Sequence, residues 1–454
     1  MNLADIKKAY IIGIKGSGVV AVAEILKASG VEITGSDTDE KFFTDSVLNN
    51  LGISYFEKFD PENIPNDVDL VIYSTAYNEK NNPEFREAQK RGTPMMSYPE
   101  VLAELFNHKY GIAVAGTHGK TTTSALLAET LRVCGTDPSA VIGSKVIDWG
   151  KNAISGKGEF FVAETDEYQN KLRLYEPKAV ILTNCDYDHP DFFPTFSDYK
   201  KVFSDFVSKI PITGFLVVWC DSTDTLEIAK SAHADVLSYG FSDDCRVKLK
   251  LGEKAQSFNV EIDGTDLGDF EIRLVGRHNM LNAGAVVAVC HRLGLDMEKV
   301  REAFKNFNGT ARRFEHIGER NGAILIDDYA HHPEEIKATL KAAKELYPEK
   351  NIRAIFHPHT FTRTKALLQE FSQSFSSADE VIVIDIYGSA REEQGGVSSK
   401  ELVDLINKYS SGKADYIPTI SETVEFLKDR IGPDDVVITI GAGNIWEVLE
   451  NLKN

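Results

Sequence analysis

The sequence predicts an α/β protein of three successive domains, each built on a largely parallel sheet with helices on both faces. Three observations predict it. Short apolar runs rich in Val, Ile and Phe alternate with helix-like stretches along all 454 residues. Most of those runs stop at Gly, Asp, Asn, His or Ser, as buried parallel strands do where loops begin. The length suits about two to four domains of roughly 100–200 residues, and the alternation breaks twice. The first break is PEVLAELFNHKY, a helix-like stretch leading into a fresh strand; the second is NGTARRFE, which separates a helical stretch from a last strand series. The predicted domains are therefore 1–105, 106–311 and 312–454.

The strands follow in order. AYIIGI, VEITGSD and VDLVIYS belong to the first domain. GIAVAG, EFFVAE, AVILTN and GFLVVW belong to the second, and AILIDD, IRAIFH, EVIVID and DVVITIG to the third. Helical stretches such as 19–28, 121–133 and 334–346 lie between them, and 240–275 reads as antiparallel hairpins added to the middle sheet. Ligands of such sheets bind beyond the carboxyl ends of the strands, so the residues just after each run are the candidate site.

Composition narrows the function classes. Asp plus Glu number 69 against 50 Lys plus Arg, a formal charge of −19, which disfavours nucleic acid and anionic membrane surfaces as partners. No stretch approaches the roughly 18 apolar residues of a membrane span. The opening MNLADIKKAYIIGIKGSG does not read as a signal peptide, because Gly and Lys interrupt its apolar part. Five cysteines (134, 185, 220, 245, 290) form no CxxC pair and read as reduced packing thiols. The expectation is a cytoplasmic protein acting on small molecules, monomeric or homodimeric.

Two glycine-rich loops carry the first chemistry. The first strand runs into Gly13-Ile-Lys-Gly16-Ser17-Gly18 and then a helix, whose free N–H groups and positive dipole end suit a pyrophosphate. Asp37 ends the next strand near the spacing at which an acid meets a ribose hydroxyl, a Rossmann-like arrangement, although the glycine spacing is GxxGxG and a plain tight turn stays open. The second loop, Gly116-Thr117-His118-Gly119-Lys120-Thr121-Thr122, lies between a strand and a helix and predicts ATP binding in a domain like the P-loop ATPases. Backbone N–H groups would cradle phosphates, Lys120 would neutralise them and the Thr121 hydroxyl would face Mg²⁺. The loop is shorter than the general GxxxxGK[ST] pattern.

Acids and histidines cluster at the neighbouring strand ends. EFFVA is followed by Glu164-Thr-Asp166-Glu167, and AVILT by Asn184-Cys-Asp186-Tyr-Asp188-His189. If both strands flank the phosphate-loop strand, Glu164 and His189 converge on the ATP γ-phosphate, Glu164 being an ordinary Mg²⁺ ligand and His189 a less usual one. Seven of the eleven histidines (118, 189, 278, 331, 332, 357, 359) fall at strand ends or in polar motifs, which favours chemistry over core packing.

GTHGKTTT, TNCDYDHPDFF, GRHNMLNA, TARRFE, DDYAHHPEEI and HPHTFTRT occur in that order, and with the opening GIKGSG the series resembles the Mur ligases of peptidoglycan synthesis. His118, the opening loop, DYAHHP and HPHTFTRT together resemble the branch that adds L-alanine. The branch that recycles a murein tripeptide shares most of these features, and folylpolyglutamate synthases share only the architecture. The resemblance implies an ATP-dependent amide ligase: the carboxylate of UDP-N-acetylmuramate is phosphorylated to an acyl phosphate, which the amine of L-alanine then attacks. It implies Lys120, Glu164 and His189 as catalytic residues, with two Mg²⁺ ions, one held by Thr121 and Glu164 and a second helped by His189. It implies His278, Asn279 and Asn282 around adenine, Arg312 or Arg313 on the ATP phosphates, and Asp327 or Asp328 on the ribose. Gly16, Ser17, Gly18, Asp37, Ser74 and Thr75 would hold the UDP-sugar, and Tyr329, His331, His359 and Arg363 the amino acid.

The chain departs from the pattern in places. Thr360 stands where many relatives carry arginine, and Asp166-Glu167-Tyr168-Gln169 replaces a DESD-type run. No carbamylated lysine is evident, Lys200 and Lys201 being the candidates. Gly441-Ala-Gly443-Asn444 reads as a tight strand–helix turn in preference to a second phosphate site. A dinucleotide-dependent oxidoreductase leaves the GKT loop unexplained, and a non-catalytic nucleotide-binding relative leaves Lys120, Thr121, Glu164 and His189 without a purpose.

Overall fold

The computed structural model describes residues 3–42, 44–254, 256–388, 392, 394–410 and 413–453. Three sheets follow one another along the chain. The first has five parallel strands in the order Ser54–Phe56, Glu32–Ser36, Lys8–Ile12, Leu70–Tyr73, Met95–Ser97. The order reverses at Lys8–Ile12, so the crevice beyond that strand opens where Gly13–Gly18 lies. Helix Ser17–Ala28 is apolar on nearly all sides because it is covered twice, by its own sheet and by strands Ser139–Val146 and Lys151–Ile154 of the next domain.

The second sheet has ten strands. At its centre Tyr110–Ala115 pairs in parallel with Ala179–Leu182 on one side and Phe160–Glu164 on the other, the arrangement on which convergence of the acidic and histidine clusters depended. Ile112, Ala113, Val114 and Ala115 are fully buried, as β-branched and small residues are in a strand covered on both faces. Beyond Ala179–Leu182 come Phe215–Trp219 and Asp235–Gly240, then the antiparallel strands Val247–Leu251, Ser257–Ile262 and Thr265–Glu271 expected from 240–275. The hairpin Ser139–Val146/Lys151–Ile154 at the other margin escaped the sequence reading, since SAVIGSKV and KNAI carry polar residues that a margin tolerates.

The third sheet is ordered Glu315–Arg320, Ala323–Asp328, Asp435–Ile440, Asn351–Phe356, Glu380–Val383, Ala414–Tyr416, with only the first strand antiparallel. Its turn after Asp435–Ile440 is a tight backbone approach. Gly441 sits at φ 150°, and a Cβ there would lie 2.7 Å from the His357 carbonyl. No described helix is long and apolar enough to cross a membrane.

The seams between sheets differ in chemistry. An apolar core runs from the first domain into the second: Phe106 packs edge-on against Phe161 and Tyr175, and a Cβ on Gly111 would fall 2.3 Å from the Phe106 ring. The Asn152 amide reaches the Ser17 carbonyl at 3.0 Å, and Lys151 pairs with the buried Glu24. The third domain meets the second largely through charged groups at the site described below. One expectation is corrected: Cys220 and Cys245 are not two separate reduced thiols but a disulfide pair, with Cα atoms 6.0 Å apart. Strands Phe215–Trp219 and Val247–Leu251 bring them together from 25 residues apart, which linear spacing could not reveal.

Candidate active site

The second glycine-rich loop is built by backbone demands. Gly116 has φ 132° and a Cβ there would strike the Thr183 hydroxyl at 2.2 Å; Gly119 has φ 76° and faces the Asn282 side chain. His118 N–H donates to Asn184 Oδ1 (2.8 Å) and the Thr183 hydroxyl to the His118 carbonyl (2.6 Å), tying the loop to the neighbouring strand end. Gly119 N-caps helix Lys120–Val133 without a side-chain bond, so the first N–H groups of that helix are open to an anion. Lys120 folds back on the loop. Its Nζ donates to the Gly116 and Thr117 carbonyls and meets Glu167 at 3.2 Å. Burial disfavours its charge, but Glu167, Asp166 and Glu164 more than offset this and hold its pKa above the usual lysine value.

The acids lie where the strand order predicted. The Thr121 hydroxyl donates to Glu164 Oε1 at 2.9 Å, and the Gly143 N–H to Glu164 Oε2 at 2.6 Å. Asp166, Glu167 and His189 present ligand atoms within 4.8 Å of one another. Glu167 is also held by the Tyr199 hydroxyl at 2.9 Å, and the His189 ring leans on Tyr168 with centroids 4.6 Å apart. The hydroxyl and carboxylate oxygens of these two groups match the hard donors that Mg²⁺ selects.

Beside the loop opens a cavity of about 340 Å³ lined by His278, Asn279, Asn282, Trp219, Tyr239, Arg313 and Asp328, with His118, Thr121 and Thr122 at its phosphate-loop end. Asn279 and Asn282 lie inside helix Arg277–Arg292. Asn279 Nδ2 donates to the Val275 carbonyl and Asn282 Nδ2 to Asn279 Oδ1, so neither caps the helix. Burial holds His278 neutral, down to about 4. Burial also raises Asp328 to about 6, although the Phe314 and Ala330 N–H groups orient its carboxyl. Two paired expectations separate here. Arg313 and Asp328 line the cavity, whereas Arg312 and Asp327 do not. Arg312 donates to Asp327 at 2.9 Å and to the Gly441 carbonyl at 2.6 Å, and Asp327 also accepts from Thr439, so this pair holds the third sheet together.

The amino-acid candidates lie across the seam between the second and third domains. Arg363 is 7% exposed and grips Asp188 of the second domain with Nε at 3.1 Å and Nη2 at 3.3 Å. That pair, working against burial, holds Asp188 far below the carboxylate range. His359 lies 3.5 Å from Arg363 and stacks on Tyr387; His331 stands 5.3 Å from Tyr329 and 6.5 Å from His359, centroid to centroid. Both histidines are held neutral by burial and the Arg363 charge, His331 at about 3 and His359 at about 4. Thr360 adopts φ 69°, uncommon for a β-branched residue. It is fixed there because its N–H donates to the Tyr387 carbonyl and its hydroxyl caps helix Phe361–Ala366 at Arg363. The departure from arginine thus leaves a residue that orients Arg363.

Glu335 was missed, though DYAHHPEEI contains it. It is the hub of a second bridge between the domains: His118 Nδ1 lies 3.2 Å away, His331 Nδ1 3.4 Å and Arg313 Nη1 3.8 Å. Asp188 was seen only as one of the clustered acids, because its partner Arg363 lies across the seam; Tyr387 was missed although its partners His357 and His359 belong to its own domain. Burial opposes a charge on His118, yet Asp186 and Glu335 raise it to about 9. Glu335 is held well below 4.5 despite burial. His118 therefore contributes stability that is full below 6.5 and lost as pH rises through about 9. The Glu335 contribution is present above 4.5 and lost in acid. The urea midpoint of docking between these domains is expected to fall from pH 7 to pH 10 in the native protein and to fall less in Glu335→Gln. Equal falls would show that the pair is not responsible.

In the first domain, Gly16 N-caps helix Ser17–Ala28 without a side-chain bond, and Ser17 and Gly18 line a second cavity of about 160 Å³ shared with Glu164. Asp37 accepts the Lys15 N–H at 2.7 Å and so shapes the loop. Ser74 and Thr75 follow strand Leu70–Tyr73 on the same edge but line neither cavity. Lys200 and Lys201 pair with Asp224, Glu227 and Asp205 away from the site, so neither carbamylation candidate reaches it.

The comparisons with known proteins agree with this geometry. Residues 8–110 match the Mur ligase family catalytic domain, 114–290 the Mur ligase middle domain and 312–443 the Mur ligase glutamate ligase domain. The UDP-N-acetylmuramate–L-alanine ligase of Desulfitobacterium hafniense is 42% identical over 98% of both chains. That of Caldanaerobacter subterraneus subsp. tengcongensis is 40% identical over 99% of this chain and 98% of its own. Among solved structures, the UDP-N-acetylmuramate–alanine ligase of Thermotoga maritima superimposes with a TM-score of 0.80 at 26% identity over 98% of both chains. A murein peptide ligase of Psychrobacter arcticus shares the fold with a TM-score of 0.74 at 23% identity over 99% of each. Matched in all three of its domains, the chain belongs to the Mur ligase family.

Proposed function

We propose that the protein is an ATP-dependent ligase that joins L-alanine to the carboxylate of UDP-N-acetylmuramate, forming ADP and phosphate, in peptidoglycan precursor synthesis. The observation that carries this reading is the convergence of three domains on one point. The phosphate loop and Glu164 lie at its centre, the helix start at Ser17 on one side and Arg363 on the other. ATP fills the larger cavity, its adenine beside His278, Asn279 and Asn282, its ribose at Asp328 and its phosphates on the loop N–H groups, Lys120 and Arg313. The diphosphate of the sugar nucleotide meets the open helix start at Gly16–Gly18, with Asp37, Ser74 and Thr75 on the same strand-end edge.

The chemistry runs in two transfers between substrates. A carboxylate oxygen of the sugar nucleotide attacks the γ-phosphorus, and the bond to ADP breaks. The amine of L-alanine then attacks the acyl carbon, loses a proton, and phosphate leaves. Lys120 meets charge as it builds on the transferred group, a mainly electrostatic contribution. Thr121 and Glu164, and in a second place Asp166, Glu167 and His189, would hold Mg²⁺, which would supply charge neutralisation at the phosphates. The Arg363 fork matches the amino-acid carboxylate. His331, neutral and with Nδ1–H directed to the Tyr329 carbonyl, leaves Nε2 free to accept from the amine.

The test is phosphate release with Mg²⁺, ATP and UDP-N-acetylmuramate on separate addition of L-alanine, L-serine, glycine and a murein tripeptide. Strong stimulation by L-alanine is the expected result. Stimulation by the tripeptide alone would move the protein to the recycling branch, and silence with every acceptor would refute the ligase reading.

A further inference from the structure

Lys171 takes no part in the phosphate loop or in the bridges to the third domain. It follows two residues in the left-handed region, Gln169 (φ 57°) and Asn170 (φ 54°), a conformation that asparagine tolerates and glutamine rarely adopts. That turn swings the lysine back along the chain until its Nζ meets Asp166 Oδ2 at 2.6 Å and lies 5.7 Å from the centre of the Tyr168 ring. The lysine and Asp166 side chains form an ion pair. The lysine side chain is 17% exposed, and the residue lines the 160 Å³ cavity.

That cavity joins the two chemistries of the site. Its lining includes Ser17 and Gly18 of the open helix start together with Glu164, bonded to the Thr121 hydroxyl, and Asp166. Among the residues lining it, Lys171 is the one cation, against two carboxylates. An acid brought to the Glu164 end would meet like charge from both, and burying it there without a counter-ion is costly. The helix start already offers N–H groups to a diphosphate, so the lysine, held by Asp166, is the group left to serve a second anion.

We propose that Lys171 is a substrate-positioning residue that pairs with the carboxylate to be phosphorylated, with Asp166 holding the ammonium in place until the substrate arrives. The assignment rests on the ligase reading above and adds the residue that recognises the acyl acceptor. It gives Lys171 a part in specificity, because a sugar nucleotide without the acid has nothing to pair with it.

The test is calorimetric binding, without ATP or Mg²⁺, of UDP-N-acetylmuramate and of UDP-N-acetylglucosamine, which carries the same diphosphate and lacks the acid. Lys171→Met is expected to weaken binding of the first about 10- to 100-fold and to leave the second within twofold, and Lys171→Arg to recover most of the loss. Equal losses for both nucleotides would place the lysine on the diphosphate and overturn the proposal, as would no loss for either. Should Lys171→Met lose its native thermal transition, the double variant Lys171→Met/Asp166→Asn, which leaves no unpaired charge, takes its place with the same expectations. Failure of the unaltered protein to bind UDP-N-acetylmuramate would be seen before any variant is made and would overturn the ligase reading itself, and this assignment with it.

Discussion

Lys120→Ala is expected to lower L-alanine-dependent phosphate release by about 10³-fold or more while the protein still folds. The ammonium is positioned by the Gly116 and Thr117 carbonyls and drawn to its place by Glu167. Lys171 is held by Asp166 at 2.6 Å, and Arg313, the other cation assigned to the phosphates, stands on the third domain beside Glu335, so neither takes the place of the loop lysine. The substitution leaves Glu167, 1% exposed, without its ammonium partner, but the Tyr199 hydroxyl still donates to it. A loss of a few kcal/mol in stability is the expected cost of that orphaned charge. Circular dichroism and a thermal transition establish that the variant is folded; undiminished turnover in such a sample would remove Lys120 from the reaction.

Arg363→Lys is expected to reduce kcat/KM for L-alanine by about 10²–10³-fold, mainly through KM, with KM for ATP unchanged. A lysine keeps the charge and loses the planar fork, and truncating one side of a buried charged pair costs about 2–5 kcal/mol. Arg363→Ala is harsher. It leaves Asp188 buried without its partner, a cost of about 3–5 kcal/mol, which would appear as weakened docking of the third domain. Restoring neutrality with Asp188→Asn should recover docking and not turnover. Unaltered KM for L-alanine in Arg363→Lys, measured by steady-state phosphate release, would show that another group binds the amino acid.

The contrast between Arg313 and Arg312 shows where sequence stops being informative. Both stand in TARRFE with the same composition around them, and a difference of one residue in backbone direction decides the matter. Arg312, at φ 60°, turns into the sheet while its neighbour faces the cavity. The same applies to Asp327 and Asp328, where alternation along a strand sends one side chain to Thr439 and the other to the pocket. What could be read in advance rested on local physics: the strand–loop–helix geometry at Gly116–Lys120, the acids at the end of EFFVA and the break at NGTARRFE. The inter-domain pairings of Glu335 with His118 and of Asp188 with Arg363 were not legible, because those partners lie in another domain and nothing near them in the chain marks the pairing. The Cys220–Cys245 pair was hidden in the same way.

Asp188 carries a further consequence. Chemically it is a carboxylate already seated in the fork of Arg363, so an amino acid arriving there enters an exchange between two similar anions and does not fill an empty socket. Because the resting Arg363–Asp188 pair is net neutral, its long-range pull on an incoming carboxylate, and with it the salt dependence of the proposed amino-acid step, would be weaker than a bare guanidinium's. It also discounts affinity by the work of displacing the resident acid, so that selectivity is set by what the newcomer's amine and side chain add. The displaced aspartate, bordered by His189 of the candidate metal cluster, would be left negative beside the proposed centre of phosphoryl transfer. On that assignment the arrival of the second substrate would be felt electrostatically at the place where the first is activated.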